Sequence, residues 1–153
     1  MTDEHFVLCA IEKAKESVAT GGFPAGAVVV LDGKVVGEGI SIGNKLHDPT
    51  SHGEMAAIRD ACKNLKSSDL GQAFLYASMQ PCLMCFAASA WASIHKIVYA
   101  CPQEAVSPIY YAGHYDTASI NASLLSPIEI IHCSQLQQQS LDVVRTWEAS
   151  LPV

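Results

Sequence analysis

Two short segments carry the side chains most suited to chemistry: His52-Gly53-Glu54 and Pro81-Cys82-Leu83-Met84-Cys85. An imidazole and two thiolates are the donors that zinc takes in proteins. A structural zinc site closes with four protein ligands, whereas a catalytic one keeps a position open for water. His52, Cys82 and Cys85 supply three ligands and leave that position free. Glu54 is the adjacent acid/base group. Zinc lowers the pKa of bound water from ~15.7 to roughly 7. A carboxylate placed to take a proton and hand it to a leaving group contributes roughly 10²–10⁴-fold in rate. A closed site would need a fourth ligand from Cys101, Cys133 or another histidine.

These residues need particular elements to bring them together. Cys82 and Cys85 are three apart, so on a helix they share one side. Pro81 suits a first turn. If His52 opens a second helix, two positive helix ends aim at one point and favour the thiolates. His52 and Glu54 lie roughly 200° apart around an ideal helix. They converge only when His52 stands at the very start of its helix.

The surrounding pattern supplies such elements. Residues 2–18 read as a helix, with Val7, Ala10, Ala14 and Val18 on one face, Thr2 as cap and Gly21-Gly22 after it. Strands over 25–31 and 34–38 flank Asp32-Gly33, a two-residue hairpin signal. A helix is expected from about Thr50, with Asp48 as cap, Pro49 in its first turn and Met55, Ile58 and Cys62 as its apolar stripe. Strands over 73–79, 96–101 and 128–133 and helices over 82–92 and 134–150 follow, the last with Leu136, Val143, Val144 and Trp147 at helical spacing. Residues 102–125 give no clear period. One hairpin followed by alternating elements predicts an α/β fold with a five-stranded mixed sheet and helices on its faces.

With 153 residues, half of them hydrophobic, the chain is expected to form a single domain over 1–153. Nine Lys and Arg against fifteen Asp and Glu give a net charge of −6, which disfavours a nucleic-acid partner. The polar, acidic start Met1-Thr2-Asp3-Glu4-His5 is unlike a secretory leader, and no apolar run is long enough to span a bilayer. A cytoplasmic location is expected, with no membrane partner. Of six cysteines, only Cys82 and Cys85 are closely spaced; the other four are expected to be buried small hydrophobes.

The pattern H-x-E followed by P-C-x-x-C resembles that of the zinc nucleobase and nucleoside deaminases. The resemblance runs over about residues 3–101 and points to the branch holding bacterial guanine deaminases, tRNA adenosine deaminases and cytosine deaminases. Its strongest stretches are Asp48–Glu54 with Ala57-Ile58-Arg59 after it, and Pro81–Cys85; Phe23-Pro24-Ala25-Gly26-Ala27-Val28 is similar to the family's first-strand motif. It implies a three-layer α-β-α cytidine deaminase-like fold, Zn2+ as cofactor, His52, Cys82 and Cys85 as metal ligands, Glu54 as the catalytic proton carrier, and a homodimer. The implied activity is hydrolytic release of ammonia from a small nucleobase or nucleoside, with a guanine-type aminopurine first. The alternatives are a tRNA adenosine deaminase, a cytosine deaminase, or a non-catalytic zinc-stabilised binding module.

This chain departs from the family at three points. Gly53 stands where alanine or valine is common between His and Glu. Gln80 stands where Glu or Thr is common before Pro-Cys. The family's base-contacting asparagine falls at Ser41, with Asn44 three positions on. Ser41 and Asn44 are therefore candidate substrate contacts. Phe23 either stacks on a base or fills the hairpin core. Trp91 is read as core, dimer contact or pocket wall. The cluster Tyr110, Tyr111, His114, Tyr115 and Asp116 includes two further candidates, His114 and Asp116. By the resemblance Asp116 assists proton transfer. The Leu136–Trp147 stripe is read as core or subunit contact.

Overall fold

The computed structural model describes residues 1–153. Helix α1 (Asp3–Ala19) starts at Thr2, whose hydroxyl accepts the His5 N–H at 3.3 Å. Strands β1 (Phe23–Leu31) and β2 (Lys34–Ser41) form the expected hairpin, with Asp32 and Gly33 both at positive φ. After β2 come a single turn, α2 (Gly43–Leu46), and then α3 (Gly53–Leu65). Next are β3 (Phe74–Met79), α4 (Leu83–Trp91) and β4 (Lys96–Cys101). Two 3-10 turns, Gln103–Ala105 and Pro108–Tyr111, lead to α5 (Thr117–Ala122). Strand β5 (Glu129–His132), a 3-10 turn at Ser134–Leu136 and α6 (Gln137–Ser150) complete the order.

The five strands make one mixed sheet in the order β2-β1-β3-β4-β5. Strand β1 pairs antiparallel with β2 and β3, while β3–β4 and β4–β5 are parallel. Side chains of β1 alternate between the two faces, as a strand's period of two requires. Val28 and Val30 face Phe6, Val7 and Ile11 of α1 and Val143 of α6. Ala27 and Val29 face Ala57, Ile58 and Ala61 of α3 and Phe86 of α4. Both faces of the sheet are thus covered, which gives the three-layer α-β-α arrangement. No helix is long and apolar enough to cross a membrane.

Helix α3 begins at Gly53, three residues after the expected start near Thr50. The Asp48 carboxylate does cap, but it caps a turn: Oδ1 accepts the Thr50 N–H at 2.9 Å and its hydroxyl at 2.7 Å. Strand β2 continues to Ser41, past the expected end at Glu38. Gly37 and Gly39 lower strand propensity, yet their lack of a side chain is what lets α3 lie on the sheet. A Cβ at Gly39 would collide with the Gly53 carbonyl and the Ala57 N–H. Cys101 and Cys133 are buried, whereas Cys9 and Cys62 are only half-buried. Trp91 is not core; it is 88% exposed at the end of α4.

Candidate active site

The two chemical segments meet where α3 and α4 begin. His52 is the N-cap of α3 and Cys82 the N-cap of α4, both with extended backbone (ψ 162° and 172°). His52 therefore stands at the helix start, as its convergence with Glu54 required. A cap residue projects off the helix end, so neither side chain is confined to a helical face. The His52 Nδ1 lies 3.4 Å from the Cys82 Sγ and 3.6 Å from the Cys85 Sγ. A tetrahedral zinc with Zn–S of about 2.3 Å and Zn–N of about 2.0 Å has an S···N edge of about 3.6 Å. The donor set fits that ion in type and in spacing. All three donor atoms lie within 4.8 Å of one another, and no fourth His, Cys, Asp or Glu joins them. Cys101 and Cys133, the candidates for closing the site, lie elsewhere.

Glu54 sits in the first turn of α3, 5% exposed. Burial, and then the nearby Cys82 sulfur, push its carboxyl up to about 7. Without metal, the two thiols divide one ionisation. The hydrogen bond from the Cys85 thiol, with help from His52, brings Cys82 down to about 4, and the same bond and burial hold Cys85 protonated. Metal binding must then expel a proton from Cys85, since thiolates are the ligands.

The site opens into a cavity of about 800 Å³, within the range of small-molecule pockets. Its floor is His52, Glu54 and Cys82. Its mouth is an aromatic group: Phe23 packs edge-on against Tyr110 at 5.1 Å and Trp147 at 5.2 Å. The Tyr110 hydroxyl donates to Glu148 on α6 at 2.7 Å. Ser41 and Asn44 both line the cavity. Ser41 is buried, and its N–H donates to the Ser17 hydroxyl at 3.0 Å. Asn44 Nδ2 donates to the Gly21 carbonyl at 3.0 Å.

Three candidates do not reach this cavity. Trp91 lies outside it, on the solvent side of α4. His114 and Asp116 border a second, smaller depression with Tyr115 and Thr117. Asp116 is the N-cap of α5, accepting the Ala118 and Ser119 N–H groups and the Ser119 hydroxyl. Its carboxylate is committed there rather than to the metal centre. In its place the cavity recruits Tyr110, Tyr111 and Trp147. The tyrosines were visible in the sequence as an aromatic cluster without a position. Trp147 was hidden in a helical stripe that read as core or subunit contact; it packs on Phe23 and Tyr110 and lines the cavity instead.

An α/β sheet that brings three metal-type donors and a buried carboxyl to one cavity defines the kind of site a metal-dependent enzyme uses. Residues 1–101 match the family model described as the cytidine and deoxycytidylate deaminase zinc-binding region, and the chain belongs to that family. The tRNA-specific adenosine deaminase of Buchnera aphidicola subsp. Baizongia pistaciae is 38% identical over 98 residues, 64% of this chain and 60% of that protein. The guanine deaminase of Bacillus subtilis is 43% identical over 101 residues, 65% of either chain. The matches thus span less than two thirds of these curated relatives. The solved structure of the Bacillus subtilis guanine deaminase covers all of this chain and 98% of its own, with a TM-score of 0.67 and 31% identity. The fold also matches NE0047 in complex with 2,6-diaminopurine, at a TM-score of 0.88 and 22% identity over 99% of this chain and 84% of that one.

Proposed function

We propose that residues 1–153 form a single deaminase domain that hydrolyses a guanine-type aminopurine, as free base or nucleoside, and releases ammonia. The observation that carries this reading is the convergence of His52, Cys82 and Cys85 with a buried Glu54 at the floor of one cavity. When bound, zinc supplies an activated water and a Lewis acid at that floor. The chain's own residues do the rest. Water adds to the amino-bearing ring carbon, the C–N bond breaks, and an oxo base and ammonia result. Glu54 receives a proton from the water and returns it to the amino nitrogen. Its raised pKa, about 7, suits a group that must both accept and donate near neutrality.

The aromatic mouth favours a flat heterocycle: Phe23, Tyr110 and Trp147 offer ring faces and edges to a base. Ser41 and Asn44 are the polar side chains placed to read its edge. The guanine deaminase of Bacillus subtilis among the relatives supports the choice of purine. A tRNA adenosine is the second reading, favoured by the 38% identity to the Buchnera protein. The net charge of −6 works against it, and no Lys or Arg lines the cavity. Six free thiols suit a reducing, cytoplasmic compartment. The exposed stripe Leu83, Ala87 and Trp91 along α4 suits a homodimer contact. Trp91→Glu is then expected to shift the sedimentation coefficient toward monomer, and an unchanged coefficient argues against that contact.

The test is ammonia release by zinc-loaded protein offered guanine, guanosine, adenine, cytosine, cytidine and tRNA. Guanine is expected to be turned over fastest, with Glu54→Ala at least 100-fold slower. Equal rates for wild type and Glu54→Ala on every active compound would overturn the mechanism. Deamination of tRNA alone would select the second reading, and no ammonia from any compound would leave the binding module.

A further inference from the structure

Gln80-Pro81-Cys82 is the turn that takes the chain from β3 into α4 and so delivers both metal-binding thiols. The N–H, carbonyl and side-chain oxygen of Gln80 are all held by residues of the following strand and the segment after it. The Gln80 N–H donates to the Cys101 carbonyl at 2.7 Å. The Tyr111 hydroxyl donates to the Gln80 carbonyl at 2.8 Å. The Gln103 N–H donates to the Gln80 Oε1 at 3.0 Å. Beyond Pro81, which has no N–H, the Leu83 N–H donates to the Tyr115 hydroxyl at 2.9 Å. The Gln103 Nε2 in turn donates to the Tyr115 carbonyl at 3.1 Å, so the two anchors are tied to each other.

The Tyr115 bond has particular leverage. Leu83 is the first residue of α4, and its amide is one of the four that no intrahelical carbonyl can satisfy. It is taken by a side chain 32 residues further on, from a segment with no regular structure. Cys82, next to it, is a cap residue whose thiol direction follows the turn's dihedrals rather than a helix lattice. A small rotation of this turn moves the Cys82 Sγ directly, against a spacing to His52 Nδ1 that matches a zinc tetrahedron. Gln103 makes its bonds while leaving its own Oε1 buried without a partner. Its placement is therefore not the best one for that side chain alone.

We propose that Tyr115, held by Gln103, is a positioning residue for the metal centre: it fixes the start of α4 and with it the Cys82 and Cys85 thiols relative to His52. This rests on the metal-dependent reading of the site given above. Tyr115 does not line the large cavity, so it acts through the ligands and not on the substrate. Tyr111, which does line the cavity, is left out of the test for that reason.

The experiment is zinc affinity by chelator competition, with kcat and KM measured on the zinc-saturated protein. Tyr115→Phe removes one oxygen and keeps the ring. It is expected to weaken zinc binding about 10–100-fold, the usual effect of losing an outer partner of a metal ligand. It should also lower kcat while KM stays within twofold. Gln103→Ala should act in the same direction, and the double variant should fall short of the product of the two. Tyr76→Phe is the control: its hydroxyl donates to Asp3 at 2.7 Å on the α1 side of the sheet, so its loss lowers stability and leaves zinc affinity alone. Zinc affinity within twofold of wild type in Tyr115→Phe overturns the proposal. If that variant does not fold, unchanged affinity in Gln103→Ala does so. A weakening no larger than that of Tyr76→Phe overturns it as well. Failure of the wild type itself to take up zinc would instead sink the metal-dependent reading, and this proposal with it.

Discussion

Replacing Glu54 by glutamine is expected to stabilise the metal-stripped protein while disabling the loaded one. Glu54 is 5% exposed, and burial raises its carboxyl from the ordinary 4.5 to about 7. The folded chain therefore holds this proton more tightly than the unfolded chain does. Below pH 4.5 both states are protonated and the carboxyl costs nothing. As pH rises from 4.5 through 7 the unfolded state ionises first, and stability is lost. The displacement from 4.5 to about 7 amounts to about 3 kcal/mol, fully lost by pH 8. Glutamine has the same shape and no charge, so it escapes this loss. Urea unfolding in excess chelator at pH 5 and pH 8 measures it. The stability of Glu54→Gln relative to wild type should improve by about 2.5 kcal/mol between those two pH values. The zinc-loaded variant should meanwhile lose about 10²–10⁴-fold in kcat, or about 3–5 kcal/mol of barrier lowering. Parallel stability profiles for the two proteins would refute the assignment of Glu54 as a buried carboxyl held near neutrality.

Two further perturbations probe how the fold carries the site. Ser17 is fully buried; its hydroxyl donates to the Phe23 carbonyl at 2.6 Å and accepts the Ser41 N–H at 3.0 Å. Ser17→Ala strands both backbone groups and should cost about 2–4 kcal/mol in urea unfolding, with a higher KM because Phe23 and Ser41 line the cavity; a cost under about 0.5 kcal/mol would count against this role. Gly39→Ala drives a Cβ into the Gly53 carbonyl at the head of α3. It should cost about 1–3 kcal/mol and weaken zinc binding, and a variant with wild-type melting temperature and zinc affinity would show that the contact does not hold His52 in place.

The parts of the fold that were legible in the sequence are those fixed by local chemistry. Asp32-Gly33 specified the hairpin because both residues take positive φ in a tight turn. The run Lys96–Cys101 was read with the correct ends because a strand buried on both faces is continuously apolar apart from its flanks. Asp48-Pro49-Thr50 misled because a cap for a turn and a cap for a helix use the same side chain; only the tertiary position of Gly53 on β2 decides where α3 starts. Asp116 shows the same ambiguity: a carboxylate in a polar-aromatic cluster reads alike as a pocket group and as a cap, and here it caps α5. The segment 102–125 had no readable period because it is two short 3-10 turns and one short helix, held by long-range bonds such as Tyr115 to Leu83. The convergence of His52, Cys82 and Cys85 was legible from spacing and motif, since an extended cap followed by a helix brings the three donors to one point. The aromatic mouth was not, because Phe23, Tyr110 and Trp147 come from three distant stretches that meet only when the sheet and α6 are assembled.

The hydrolytic reading requires a metal centre with three protein donors and one open position. X-ray absorption on the zinc-loaded protein measures this. Two sulfurs at about 2.3 Å, one nitrogen at about 2.0 Å and one exchangeable oxygen are predicted. A third sulfur or a second nitrogen, with no exchangeable oxygen, would make the site structural and contradict the hydrolytic reading.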